Sequence, residues 1–243
     1  MTENGRAPVL ELRNVSTHYG LVAVLREVDM EIFAGEMVCL LGGNASGKTT
    51  TLKTILGYVS PSEGEVVLDG EVVSGLSTTE VVKRGVSMVP ENRRLFPDMT
   101  VEENLWMGGY RMARGASAKE AADRIFSKYP RLAARRRTRA GALSGGERRL
   151  LEISRALVMD PEVLLVDEPS IGLEPRFIDE VFEILTDLKS RDGKTVLMVE
   201  QNARKGLEFA DVGYVLVAGR VAKTGTGREL LEDPEVGRLF LGG

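Results

Sequence analysis

Gly42-Gly43-Asn44-Ala45-Ser46-Gly47-Lys48-Thr49-Thr50 follows the spacing G-x-x-x-x-G-K-[ST]. Each residue type there serves the handling of a phosphate chain. Glycines let the backbone curl so that successive N–H groups point inward. Lys48 brings a mobile positive charge to the outer phosphate oxygens, and the Thr49 hydroxyl is a ligand for Mg²⁺. Val163-Leu164-Leu165-Val166-Asp167-Glu168-Pro169 supplies the acidic counterpart, an apolar run ending in two carboxylates. Asp167 is placed to hold Mg²⁺. Neighbouring residues on a strand face opposite ways, so Glu168 is left to orient and polarise an attacking water as the chain leaves the sheet. Together these residues imply binding and cleavage of a nucleoside triphosphate. Leu143-Ser144-Gly145-Gly146-Glu147 then opens a second helix on the S-x-x-E pattern of a capping box. Two glycines are not needed for capping and each costs roughly 1 kcal/mol in a helix. Their presence points to close approach of something bulky, although the same segment also reads as the start of an amphipathic helix with Leu150, Ile153 and Leu157 on its buried stripe.

These groups need an α/β frame. Segments 37–41, 163–166 and 195–199 are continuously apolar, as expected of parallel strands covered on both faces. Ahead of them, Val28, Met30 and Ile32 alternate with Glu27, Asp29 and Glu31, and Asp69-Gly70 marks a two-residue hairpin within 66–73, so antiparallel strands with one wet face are expected there. Ser77 with Glu80, Thr100 with Glu103 and Ser117 with Glu120 fit capping boxes, while Gly57 and Gly85 fit helix stops. Residues 92–154 offer no convincing strand and read as a helical subdomain inserted in the core. Within them, 131–140 is the one basic run and reads as a solvated face.

Composition narrows the classes. Acidic residues exceed basic ones, 36 to 32 in 243 residues, which gives no electrostatic footprint for nucleic acid. No apolar run approaches the ~18 residues that span a bilayer, and the first residues lack signal-peptide character, so a soluble intracellular protein is expected. Cys39, the single cysteine, lies in an apolar segment and reads as a buried small hydrophobe. His18, the single histidine, reads as a surface loop residue.

The order of phosphate loop, LSGGE and VDEP resembles the ATP-binding domain of ABC transporters, and the likeness runs over essentially the whole chain. The resemblance implies a P-loop NTPase core of ABC type with a mostly parallel sheet, an N-terminal antiparallel β subdomain and the inserted helical subdomain, in one domain of residues 1–243. It implies ATP and Mg²⁺ as ligands. Ser144, Gly145, Gly146 and Glu147 would contact the γ-phosphate of ATP held by a second ATP-binding subunit, in a homodimer or heterodimer. Tyr19 falls where the family places a ring against adenine, and Glu91 where a side chain reaches the metal and the attacking water. Ser170 to Pro175 stand at the loop that crosses the dimer interface, and Gln201 at the switch loop. VPENRRLFPDMTVEENL, LMVEQNA and the terminal FLGG look more specifically like the smaller ATPase subunit of branched-chain amino acid importers. That likeness implies transmembrane permease subunits docking on a groove of the helical insert, a solute-binding protein engaged indirectly, and a cytoplasmic location on the inner face of the membrane.

Four positions depart from the family pattern. Glu91 stands for the usual Gln, Gln201 for His, Ala45 for Gly, and Glu174 for Asp or a small residue. Gln201 cannot titrate near neutral pH, so it is expected to hydrogen-bond without carrying a proton. If position 45 requires positive φ, its methyl group costs on the order of 1 kcal/mol. Other readings are an ABC-type ATPase acting on nucleic acid, a small-molecule kinase, and the same motor serving urea, amides or another amino acid class. Cargo resides in subunits outside this sequence.

Overall fold

The computed structural model describes residues 6–91, 95–110 and 118–241, so the expected box at Ser117 lies outside the described residues. Two sheets carry the architecture. The first is antiparallel, in the order β2-β1-β4-β5, built from β1 (Leu10–Tyr19), β2 (Val22–Ile32), β4 (Glu63–Leu68) and β5 (Glu71–Val72). Its alternation is the one expected, with Val28, Met30 and Ile32 buried and Glu27, Asp29 and Glu31 exposed. Asp69 and Gly70, at φ 49° and 78°, form the hairpin turn. His18 lies within β1 and not in a loop. It is exposed, and its Nδ1 stands 2.7 Å from the Ser62 hydroxyl oxygen.

The second sheet runs β10-β9-β3-β8-β7-β6. Its members are β3 (Met37–Gly42), β6 (Val86–Val89), β7 (Val163–Asp167), β8 (Thr195–Glu200), β9 (Val212–Val217) and β10 (Arg220–Thr226). Five are parallel, and β10 pairs antiparallel with β9. The continuous apolar runs follow from burial on both faces. Val38 and Leu40 of β3, with Leu165 and Leu197, join Leu10, Leu25 and Leu52 in a core between the two sheets. Met37, Cys39 and Leu41 point the other way, into a core with Val181, Phe182, Ile153 and Leu207. Cys39 is fully buried, and burial pushes its thiol well above the usual range.

Helices cover this frame. α1 (Lys48–Ile55) follows β3 and stops at Gly57, whose φ is 71°. α2 (Thr78–Lys83) stops before Gly85, φ 89°. The expected insert contains α3 (Val101–Gly108), α4 (Ala118–Lys128), α5 (Pro130–Ala133) and α6 (Gly145–Leu157). Boxes at Ser77, Thr100 and Ser144 close the starts of α2, α3 and α6. The approximate limit at residue 154 falls inside α6, because Leu150, Ile153 and Leu157 form one buried stripe that carries the helix a further turn. Thr100 and Arg139 meet in an isolated bridge. The basic run is matched by carboxylates: Arg131 pairs with Glu180, Arg135 with Glu147, and Arg136 with Glu102 and Asp123. α7 (Pro175–Ser190), α8 (Ala203–Phe209) and α9 (Gly227–Glu232) complete the cover.

Candidate functional site

Parallel strands deliver their carboxyl ends to one edge of a sheet, and ligands of open α/β sheets bind there. β3 ends at Gly42, β6 leads into Pro90 and Glu91, β7 ends at Asp167 and β8 at Glu200, so the phosphate loop, both carboxylates and Gln201 leave from this edge. The turn from β3 to α1 is tight. Gly47 has φ 110°, and a Cβ there would stand 2.7 Å from Leu25 Cδ2, so no other residue fits without displacement. Ala45 does occupy the left-handed region, at φ 60°. Lys48 is nine-tenths buried, and its ammonium donates to the carbonyls of Gly42 and Gly43 at 2.8 and 3.0 Å. No side chain caps the start of α1 and no acidic residue stands in its first turn. Its free N–H groups and dipole are therefore open to an anion.

Two cavities flank this helix start. One, of ≈ 470 Å³, is lined by Asn44 to Thr50 together with Val22, Ala23, Val24, Arg26 and Glu168. The other, of ≈ 530 Å³, holds Tyr19, Lys53, Tyr58, Glu91 and Asp167, and shares Thr49 with the first. Tyr19 is 45% exposed, with its ring free to take a planar partner. It lines the second cavity, whereas Val22, Ala23 and Val24 line the first.

The Thr49 hydroxyl donates to Asp167 Oδ1 at 3.3 Å. Burial raises the Asp167 carboxyl above the ordinary range, and the negative charge of Glu91 adds to the rise against the Thr49 hydrogen bond and Lys48. Among the described residues no group of three or more His, Cys, Asp or Glu side chains gathers into a metal cage. Two protein oxygens beside a phosphate site nevertheless suit Mg²⁺, which keeps most of its shell in water and phosphate. The residues present fit that ion.

Glu168 has φ 45°, an uncommon conformation for a residue with a long side chain. Its N–H donates to Val199 O at 2.9 Å, the last bond of the β7–β8 ladder, and the chain leaves the sheet after it. Burial raises its carboxyl; Lys48 pulls it back down, while Glu91, Asp167 and Glu200 push it further up. A half-buried carboxylate facing a phosphate loop, with elevated proton affinity, is suited to accept a proton from water.

The second glycine-bearing helix start lies apart, and none of Ser144 to Glu147 lines either cavity. Ser144 Oγ accepts from Glu147 N at 3.2 Å, and Glu147 Oε2 accepts from Ser144 N at 2.9 Å. The Ser144 N–H, with the Ser144 hydroxyl and Arg135, holds the Glu147 carboxyl below its usual range. The two glycines differ. A Cβ on Gly146 would stand 2.6 Å from Phe177 Cδ1, so the bulky neighbour of Gly146 belongs to this chain; a Cβ on Gly145 would meet nothing within 4 Å.

Residues 25–171 match the ABC transporter family. The chain belongs to the ABC transporter family. Over 97% of its length it is 42% identical to the high-affinity branched-chain amino acid transport ATP-binding protein BraG of Pseudomonas aeruginosa, all of which is covered. The lipopolysaccharide export system ATP-binding protein LptB of Haemophilus influenzae is 34% identical over 96% of this ABC chain and 97% of its own. The ADP conformation of the ATP-binding cassette MJ1267 superposes with a TM-score of 0.87 at 26% identity, covering 97% of this chain and 99% of that one. The cassette MJ0796, solved as a dimer bound to ADP and Pi, matches at 0.79 and 27% identity, over 90% and 99% of the two chains.

Two features of this cassette escaped sequence reasoning. Glu200 is 1% exposed, and its carboxylate accepts from Ser170 N at 2.9 Å and Asn202 N at 3.0 Å. It ties the loop after Glu168 to the loop holding Gln201, which is itself exposed. Arg149 and Glu152, each 5% exposed, form an ion pair at 2.9 Å inside α6. The available signal was a charge at the end of an apolar strand and an oppositely charged i,i+3 pair amid Leu150, Leu151 and Ile153.

Proposed function

We propose that this chain is the ATP-hydrolysing subunit of an import system for branched-chain amino acids. The observation that carries the hydrolytic part is the convergence of Lys48, Thr49, Asp167 and Glu168 on one sheet edge. The cargo rests on the 42% identity with BraG along nearly the full length of both chains. The likeness to LptB supports a second reading, in which the same motor serves another cargo.

ATP enters with its phosphates against the N–H groups of Gly43 to Thr50, and Lys48 exchanges its loop carbonyls for phosphate oxygens. The Tyr19 ring receives the adenine. Thr49 and Asp167 would hold Mg²⁺ with Glu91 close by, and the ion would neutralise charge on the phosphate oxygens. A second ATP-binding subunit closes head to tail, so that Ser144, Gly145, Gly146 and Glu147 cap the nucleotide of the partner. Closure excludes water and brings oriented dipoles to the charge that develops. Glu168 directs the attacking water, and Gln201 hydrogen-bonds to phosphate or water without titrating. Loss of phosphate opens the dimer. A cleft of ≈ 250 Å³ lies beside Phe96, Met107 and Arg155, and Trp106 and Tyr110 are exposed. A short helix of a transmembrane permease subunit docks there, and a solute-binding protein acts through that permease. No described helix is long and apolar enough to cross a membrane. The permease holds the subunit peripherally at the inner face.

The test is Glu168→Gln. With ATP and Mg²⁺ the variant is expected to lose turnover and run as a nucleotide-trapped dimer by light scattering, alone or with its sister subunit. Turnover at the parental rate, or a monomer at every concentration, overturns the proposal.

A further inference from the structure

Arg149 reaches three segments at once. Nη1 donates to Glu152 Oε2 at 2.9 Å and to Pro90 O at 3.4 Å, while Nη2 approaches Asp167 O at 3.4 Å and Glu168 O at 3.5 Å. Nη1 is thus fixed by a buried carboxylate and the carbonyl before Glu91, while Nη2 faces the backbone carbonyls of Asp167 and Glu168. A buried ion pair is weak evidence for stability, since an apolar pair of equal volume often does as well. What it supplies is geometry. Glu168 sits at φ 45°, a conformation that persists only where the surroundings hold it. Val199 O holds its N–H side, and Arg149 holds its carbonyl side.

The placement of Arg149 along α6 gives the contact a further consequence. Arg149 follows Gly145 by four residues and so stands one turn below it on the same helix face. The far end of the pair borders a cleft: Glu152 lines it with Phe96, Met107 and Arg155, and its Oε1 is buried without a hydrogen-bond partner. A shift of α6, driven from its glycine-bearing tip or from the cleft, moves the guanidinium against the carbonyls of Asp167 and Glu168. Contacts of 3.4–3.5 Å are longer than usual for a charged donor, so they can tighten or part over a small displacement.

We propose that Arg149, anchored by Glu152, is a positioning residue that transmits the state of α6 to the backbone carrying Glu168. The role rests on the reading of Glu168 as the water-directing base. Its test uses the full chain, comparing the parent with R149M/E152L, which replaces the pair by apolar groups, and with R149K. The double variant is expected to fold and to bind MgADP with unchanged affinity by calorimetry. Its KM for ATP should stay within about twofold while kcat drops by about tenfold or more, as misplacement of a catalytic group predicts. The backbone amides of Glu168, Ser170 and Ile171 should exchange with deuterium about tenfold faster. R149K, which restores one donor, should recover part of kcat. A kcat within about twofold of the parent with unchanged exchange overturns the proposal, as does a parallel loss of MgADP affinity, which signals collapse of the pocket. A parent without ATPase activity refutes the proposed function instead, and amide exchange, which needs no turnover, still decides the role of Arg149.

Discussion

Gly145→Ala separates a helix cap from a phosphate contact. Gly145 is the first residue of α6, lies outside the left-handed region, and has open space where a methyl group would stand. Within this chain the substitution is therefore free of collision. Alanine is favoured over glycine by roughly 1 kcal/mol in a helix interior, and a first-turn position should gain about half of that. At this chain length 1 kcal/mol corresponds to about 2–4 °C, so Tm should rise by about 1–2 °C. On the proposed head-to-tail closure, a methyl group between the helix start and a partner's phosphate would have the opposite effect on turnover. Losing one such donor commonly costs about 10²–10³ in kcat, so a fall of at least about tenfold is expected. Thermal unfolding and steady-state ATPase on one preparation read both numbers, with MgADP binding to the chain's own phosphate loop as the control. Raised Tm with turnover near parental would show that no phosphate approaches Gly145. Lowered Tm would show that the space is not open. Gly146→Ala cannot serve, because the collision with Phe177 entangles folding with activity.

Glu168→Gln should also be more heat-stable than the parent at neutral pH. Burial raises the folded-state carboxyl, so folding favours the protonated form, and its contribution is lost as pH rises from the unfolded to the folded value. The Tm advantage of the variant should shrink toward the ordinary carboxylate range; an advantage independent of pH would refute the assignment. Ala45→Gly relieves φ 60°, worth about 1 kcal/mol, against about 0.4–1 kcal/mol of added unfolded-state freedom. Its Tm should be equal to or slightly above parental by calorimetry, and a fall would show the alanine to be unstrained. Gln201→His should add no limb near neutrality to the pH profile of kcat, whereas a new limb would place proton transfer at that position.

The frame was legible because its burial is simple. β3, β7 and β8 are covered on both faces, so their apolar runs are unbroken, and the boxes at Ser77, Thr100 and Ser144 sit within four residues of chain. The same spacing gives a further box at Thr226 and Glu229. Long-range relations were not legible. A pair of charges on an amphipathic helix reads as a wet face, yet Arg149 and Glu152 are both buried, and Arg149 reaches the carbonyl of Asp167. Glu200 reads as a strand terminus, whereas its carboxylate bridges two loops 32 residues apart in sequence, from Ser170 to Asn202. The glycine pair at 145–146 signals close approach, but only the fold reveals that Phe177 fills one of the two spaces.

That ring has an evolutionary corollary. Phe177 lies in the first turn of α7, just after the Ser170–Pro175 loop, and it occupies the volume any side chain at position 146 would claim. Two segments remote in sequence are thus keyed to each other, and neither can be rewritten alone. In a mutational scan, larger residues at 146 should survive only in combination with a smaller one at 177, a linkage that single substitutions would never reveal.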